Sequence, residues 1–178
     1  EPSTTGLSST LDQFYASWGD LANNPTSSAA KSVVQERGSQ VASMLNQFST
    51  NLDQLSSNTL ADATQKVSDI NQYTAQIANI NKQIVAAEAD GKTTANDLRD
   101  MRDNAIDALS KIVPVRVIDQ PNGSDTIYVA GATVVDGSSS STFGLQQSSG
   151  KVSLQLNGRA FSTQSPGGAL GADRKSVV

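Results

Sequence analysis

An apolar stripe through residues 27–90 most strongly constrains how this chain can fold. Over its first half the spacing settles into steps of four and three residues, which is typical of a coiled-coil seam. A single helix of about 63 residues would extend roughly 95 Å at ~1.5 Å per residue, so it cannot bury the stripe against itself and needs partner helices. The stripe comprises Val34, Val41, Leu45, Phe48, Leu52 and Leu55, and then Val67, Ile70, Tyr73, Ile77, Ile80 and Ile84.

The phase of the stripe slips between Leu55 and Val67. Residues 56–59, which read Ser-Ser-Asn-Thr, are poor helix formers. We therefore expect a kink or a break in the long helix at this point.

Shorter amphipathic helices are predicted on either side of the stripe, at about residues 6–24 and 94–112. Pro25 and Pro114 follow them, and proline disfavours helical geometry at the preceding residue. The residues that we predict to form the helical core are Leu11, Phe14, Trp18, Leu45, Phe48, Leu52, Ile70, Ile77 and Ile84.

From Val115 the hydrophobic period changes to two, which is typical of β-strands. Loops such as Asn122-Gly123 separate the alternating runs and indicate β-hairpins. The predicted fold class is therefore α+β: a long-helix, coiled-coil-like bundle over residues 1–113, followed by β-hairpins over 114–163. Residues 164–178 form a tail whose pattern predicts no element.

The composition excludes several kinds of active site. The chain has no His and no Cys, which rules out Ser-His-Asp and Cys-His nucleophiles, thiolate or imidazole zinc sites and disulfides. A net charge of −4 offers no electrostatic footprint for nucleic acid or an anionic membrane. Apolar runs also fall short of the ~18 residues that a membrane span requires. We expect no enzyme, no cofactor and no metal site.

Two groups of oxygen-bearing residues invite a metal-site interpretation. Residues 97–103 alternate acids with arginines, but a helix spreads such groups around its surface, and Arg99 with Asp103 has the spacing of an ordinary ion pair. Asp119, Asn122 and Asp125 share one loop, and a hairpin turn accounts for their residue types. We interpret both groups as structural.

The stripe itself leaves two alternatives open. It can be the core of an intramolecular bundle, or it can mark a rod that assembles side by side with copies or relatives. The two are compatible, because an incomplete bundle exposes what an intact protein buries.

Several stretches of the chain resemble the flagellar hook-associated proteins. Residues 6–25 carry a Gly-Leu-Ser start and an Asn-Pro end with Leu, Phe, Trp and Leu between them at the family's spacing. Residues 70–84 and 109–113 are similar to the hook–filament junction members of that family, and the resemblance covers roughly residues 5–172. The most specific string reads Asn96, Asp97, Leu98, Arg99, Asp100, Met101, Arg102 and Asp103, and its signature residues are Asn96, Asp97, Leu98, Arg99, Asp100, Arg102 and Asp103.

The resemblance implies a flagellin-like rod domain in a structural adaptor that connects hook to filament through subunit packing, without enzymatic activity. The implied partners are identical subunits in a ring, the hook protein, neighbouring hook-associated proteins and an export chaperone that binds terminal segments absent here. Neither nucleic acid nor a membrane is an implied partner. The implied location is the extracellular flagellum, reached by flagellar type III export without a cleaved signal.

The resemblance also implies that a helix completing the core lies beyond Val178. A start at Glu1 rather than Met indicates an excised or processed chain, and residues 173–178 depart from the family pattern, which suggests that they are foreign to it. The alternatives are another flagellin-like filament protein and a secreted adhesin with a helical stalk.

Overall fold

The structure, a computed structural model, describes residues 6–91, 94–148 and 150–161. The described part of the chain has helices first and antiparallel strands after them, so the predicted α+β fold class is confirmed. The helices of the described residues are α1 (Leu7–Asn23), α2 (Ser28–Ala87) and α3 (Asn96–Ser110). The predicted tail at residues 164–178 lies outside the described residues.

Helix α2 continues without interruption through residues 56–59. Of the kink or break that we predicted here, the break was therefore wrong. Poor helix formers cost only a few tenths of a kcal/mol each, and a helix already propagated on both sides does not pay the nucleation cost again. Four such residues are not enough to end it.

The chain divides into two compact units, residues 1–57 and 58–178. In the first unit, α1 and the start of α2 form an antiparallel hairpin. The Thr10 hydroxyl lies 3.6 Å from Met44 Sδ, and Arg37 Nη1 donates to Gln13 Oε1 at 2.7 Å. Ser27 Oγ accepts the Ala30 N–H at 3.2 Å, which caps α2 at its start.

The second unit contains the rest of α2, together with α3 and two antiparallel sheets. The first sheet has the order β1 (Val115–Asp119), β2 (Asp125–Val129), β3 (Ala132–Asp136) and β4 (Ser139–Ser140). The second has the order β5 (Phe143–Ser148), β6 (Lys151–Leu156) and β7 (Arg159–Ala160). Within each sheet, strands that are neighbours in sequence pair with one another, as expected for successive hairpins.

Helices and strands of the second unit share one hydrophobic core. Its buried members are Val67, Ile70, Ile77, Ala78, Ala105, Leu109, Val113, Ile127, Val129, Val134, Val135 and Phe143. The change in hydrophobic period after residue 113 thus marks a change of secondary structure, while the boundary between compact units falls inside α2. Within the described residues, none of the helices is both long and apolar enough to cross a membrane.

Candidate functional site

The first unit leaves much of its predicted core exposed to solvent. Trp18 is 50% exposed, and Leu45, Phe48 and Leu52 are 50%, 45% and 65% exposed. Leu11 and Phe14 are half-buried. These exposures correct the prediction that Trp18, Leu45, Phe48 and Leu52 lie in the core.

For Leu45, Phe48 and Leu52, the reason lies in the lengths of the two helices in this unit. Helix α1 has only 17 residues, and Thr10, near its start, lies beside Met44. Beyond that level, the same face of α2 carries an apolar row with no described partner in the unit. We call this row the stripe surface: Leu45, Phe48, Leu52 and Leu55, each at least 45% exposed. A contiguous exposed row of large apolar side chains marks an interaction surface.

The predicted core residues in the second unit are buried. Ile70, Ile77 and Ile84 are each 0% exposed. They lie on α2 at intervals of seven residues, which keeps them on one face of the helix.

The signature string lies on α3, with its members at different depths. Asn96, Asp97, Asp100 and Asp103 are exposed, Leu98 and Arg99 are half-buried, and Arg102 is buried. The expected pair of Arg99 with Asp103 is replaced by a pair of Arg99 with Glu88. The string is therefore only partly a solvated helix face.

The charged side chain of Arg102 is buried in the interior of the second unit. Its Nε lies 2.9 Å from a carboxylate oxygen of Asp125, an ion pair without hydrogen-bond alignment. Its Nη1 donates to Asn81 Oδ1 at 3.1 Å and to the Gly123 carbonyl at 2.8 Å. Burial raises the pKa of Asp125 to about 6; Arg102 opposes this shift, and the charge of Asp119 adds to it.

The side chains of two asparagines on α2 form hydrogen bonds with backbone groups of the two sheets. Asn81 donates to the carbonyl of Asp125 at 2.8 Å and accepts its N–H at 3.1 Å; it also donates to the Gly137 carbonyl at 2.9 Å. Asn71 does the same at β5, donating to the Phe143 carbonyl at 2.9 Å and accepting its N–H at 2.7 Å. A side-chain amide that satisfies both backbone groups of one residue fixes where each sheet sits along the helix.

Glu88, the residue after α2, is joined to the start of α3 by hydrogen bonds and an ion pair. Its Oε1 accepts the Ala95 N–H at 2.9 Å and Arg99 Nε at 3.0 Å, and its Oε2 accepts Arg99 Nη2 at 2.7 Å. The hydrogen bond from Arg99 lowers the pKa of Glu88, and the pair raises the pKa of Arg99. Gly123, at a φ of +83°, lies so close that a Cβ there would be 2.7 Å from Glu88 Oε2.

A groove of about 490 Å³ lies between α2 and β5. The described residues that line it carry no charge: Leu60, Thr64, Val67, Ser68, Asn71, Gly144, Leu145 and Gln147. Among the described residues, no group of acidic side chains could hold a metal ion.

Sequence reasoning did not identify Asn71, Asn81, Glu88 and Asp125 as structural anchors. A signal exists for Asn81, because it lies four residues after Ile77 and three before Ile84 on the buried face. A polar residue within an apolar face indicates a buried hydrogen-bond partner. The identity of that partner depends on the position of the strands and cannot be obtained from the helix pattern.

Comparison with known proteins places these features in a family context. Residues 1–175 match the family model described as the flagellar hook-associated protein FlgK helical domain. The chain is 36% identical over 134 residues to flagellar hook-associated protein 1 of Bacillus subtilis, an alignment of 75% of this chain and 26% of that protein. It is 35% identical over 141 residues to the Salmonella typhimurium protein of the same name, covering 76% of this chain and 25% of that protein.

A solved structure matches as well. The flagellar hook junction protein FlgK from Burkholderia pseudomallei superposes with a TM-score of 0.82 at 26% identity, over 96% of this chain and 33% of that one. The chain therefore spans about a quarter of the length of the curated relatives that it matches, and a third of the solved chain.

Proposed function

Because this chain belongs to the family of the flagellar hook-associated protein FlgK helical domain, we propose that it is part of a structural subunit that joins hook to filament in a bacterial flagellum. The observation that carries the proposal is the family match along nearly the whole chain, together with relatives named as hook-associated proteins. The same match favours this role over an adhesin stalk. The role is mechanical and involves no catalysis.

The two units make different contributions to this role. In the second unit, Asn71 and Asn81 hold the sheets against α2, which keeps the shape of this unit constant under load. In the first unit, the stripe surface is available for packing. Its occupant is either the remainder of the full-length chain, completing a bundle, or a neighbouring subunit.

The proposal extends to partners and location. The subunit packs against copies of itself in a ring, against the hook protein and against neighbouring hook-associated proteins. It reaches the cell exterior through the flagellar type III export apparatus, with an export chaperone bound to terminal segments outside this chain.

Deletion of the parent gene in its host tests the junction role. We expect electron microscopy to find bare hooks, and we expect flagellin in the medium, because export continues while filament anchoring fails. Complementation with the full-length gene should restore filaments. Normal filaments in the deletion strain would refute the role.

A variant of the stripe surface tests the packing mechanism within the full-length protein. Leu52→Asp places a charge among exposed apolar side chains and should leave filaments short or detached. Gln47→Asp adds the same charge to the same helix at an exposed position outside the stripe and is the matched control. Equal filament retention in the two variants would contradict the packing role of the stripe surface.

A further inference from the structure

Strand β5 has an open edge. Among the described residues it is the outer strand of its sheet, and β6 is the one strand that pairs with it. Phe143 directs its N–H and C=O away from β6, since both bind the side chain of Asn71. Because these directions alternate along a strand, Leu145 and Gln147 point the same groups away from β6 as well.

The other side of the sheet gives independent support for this assignment. Leu145 pairs with Leu154, whose carbonyl accepts the N–H of Phe161 on the side of β6 away from β5. The pair of Leu145 with Leu154 is therefore not hydrogen-bonded within the ladder, and the Leu145 backbone groups face outward. Asn71 occupies the first position of this edge, and the next two positions face the groove.

Of the four outer strands in the described sheets, β5 alone lacks charge, proline and short length, and α2 covers its edge only at Phe143, through Asn71. The outer strand β1 carries Arg116 and Asp119 and follows Pro114. Strands β4 and β7 have two residues each. Strand β5 has six residues, without charge and without proline. Soluble proteins normally protect such an edge with charges, prolines or short length, so an unprotected one is suited to pairing.

We propose that this edge and its groove are a docking surface for an extended, uncharged segment of a neighbouring subunit, which adds to the sheet as a strand beside β5. Main-chain bonds to Leu145 and Gln147 supply affinity, and the groove against α2 receives alternate side chains. The uncharged lining selects an uncharged segment, because a charge buried there would have no partner.

The number of bonds indicates what kind of partner binds. Two outward residues offer about four main-chain hydrogen bonds, fewer than the roughly ten of a typical specific complex between free proteins. The contact therefore forms where assembly already holds subunits side by side and raises the effective concentration. In this respect the inference rests on the proposed structural role in the flagellum.

Photo-crosslinking in intact flagella tests the inference with the full-length protein. Benzoylphenylalanine replaces Ser68, which lines the α2 side of the groove and is exposed. After irradiation of purified flagella, we expect a product that joins this protein to a second polypeptide at an uncharged segment. A link only within the same chain, a link to a charged segment or no link at all would overturn the inference.

Edge variants in the same cross-linking background give the matched comparison. Gln147→Pro removes an outward N–H and leaves the ladder to β6 intact. Gln147→Lys keeps this N–H and the ladder, and adds a charge to the groove. Each should reduce the cross-link yield about fivefold or more. Gln146→Lys alters the opposite face of β5 and should retain the yield; an equal loss in this control would overturn the inference.

Failure of this inference can be separated from failure of the proposed function. If the protein is missing from purified flagella, the structural role itself fails. If it is present and no second polypeptide is linked, only the docking surface is refuted. Unchanged thermal unfolding of the variants excludes misfolding as the cause of a lost cross-link.

Discussion

Arg102 Nε lies 2.9 Å from a carboxylate oxygen of Asp125, and the two side chains are 5% and 4% exposed. The pair joins α3 to the first residue of β2 across the interior of the second unit. Removing one partner of a buried pair leaves the other charge uncompensated, which typically costs more than the pair contributes.

Arg102→Met should therefore lower the free energy of unfolding by about 3–5 kcal/mol. The substitution leaves the Asp125 carboxylate without its ion-pair partner. It also removes the hydrogen-bond donor to the Gly123 carbonyl and to Asn81 Oδ1. Denaturant unfolding followed by circular dichroism measures the change. Arg116→Met on β1, where the side chain is exposed, is the control and should change stability by no more than about 0.5 kcal/mol.

Asp125 also makes stability depend on pH. Its pKa is about 6 in the folded chain and 3.8 in the reference state, so the folded state binds more protons between these values. The Asp125 contribution to the free energy of unfolding is therefore greatest below pH 3.8 and is lost as the pH rises through 6. Glu88, whose pKa is lowered, acts in the opposite direction and loses its contribution as the pH falls below its ordinary range.

Comparison with Asp125→Asn isolates this effect. The wild type should lose stability relative to the variant as the pH rises from 4 to 6, and the difference should level off above about pH 7. Unfolding free energies at a series of pH values provide the measurement. A difference that is independent of pH would show that Asp125 titrates at its ordinary pKa.

Substitution of Gly123 and of Gly131 by Ala distinguishes the cost of backbone strain from the cost of a steric conflict. Both have a left-handed φ, +83° and +85°, and a Cβ meets nothing within 4 Å at Gly131 but lies 2.7 Å from Glu88 Oε2 at Gly123. Each change to Ala should cost about 1–2 kcal/mol for the conformation. Gly123→Ala should cost more, because the carboxylate must move away from Arg99.

A double-mutant cycle checks that explanation. In a Glu88→Ala background, Gly123→Ala should cost about as much as Gly131→Ala does in the wild type. A persistent excess would mean that Glu88 is not the main source of the conflict and that Ile84 Cγ2, 3.3 Å from the same Cβ position, contributes to it.

Asn81 and Asn79 give a contrast within one helix. Asn81 is 0% exposed and binds the Asp125 and Gly137 backbone, whereas Asn79 is exposed. Asn81→Ala leaves several buried polar groups unsatisfied and should cost about 3 kcal/mol or more. It should also speed hydrogen exchange at the Asp125 amide. Asn79→Ala should do neither, and equal effects of the two changes would contradict the anchoring role of Asn81.

The helical part of the fold could be predicted because its signals are local. The predicted ranges 6–24, 27–90 and 94–112 lie within three residues of the observed helix ends, because proline and polar caps act on neighbouring residues. The predicted break at residues 56–59 failed because propensity is a weak signal inside a long helix. The free edge of β5 could not be predicted, since strand order is a non-local property.

The sequence alone determined the fold class, the buried face of α2 from Ile70 to Ile84 and the family. The spacing of hydrophobic residues and the order of residues are properties of the chain itself and do not depend on tertiary contacts. Only the tertiary structure decided that Leu45, Phe48 and Leu52 remain exposed, since burial depends on how far α1 extends along α2. It also decided the partners of Arg102 and of Asn71. Those bonds join residues 23 and 72 positions apart, and only the folded chain brings such residues within hydrogen-bonding distance.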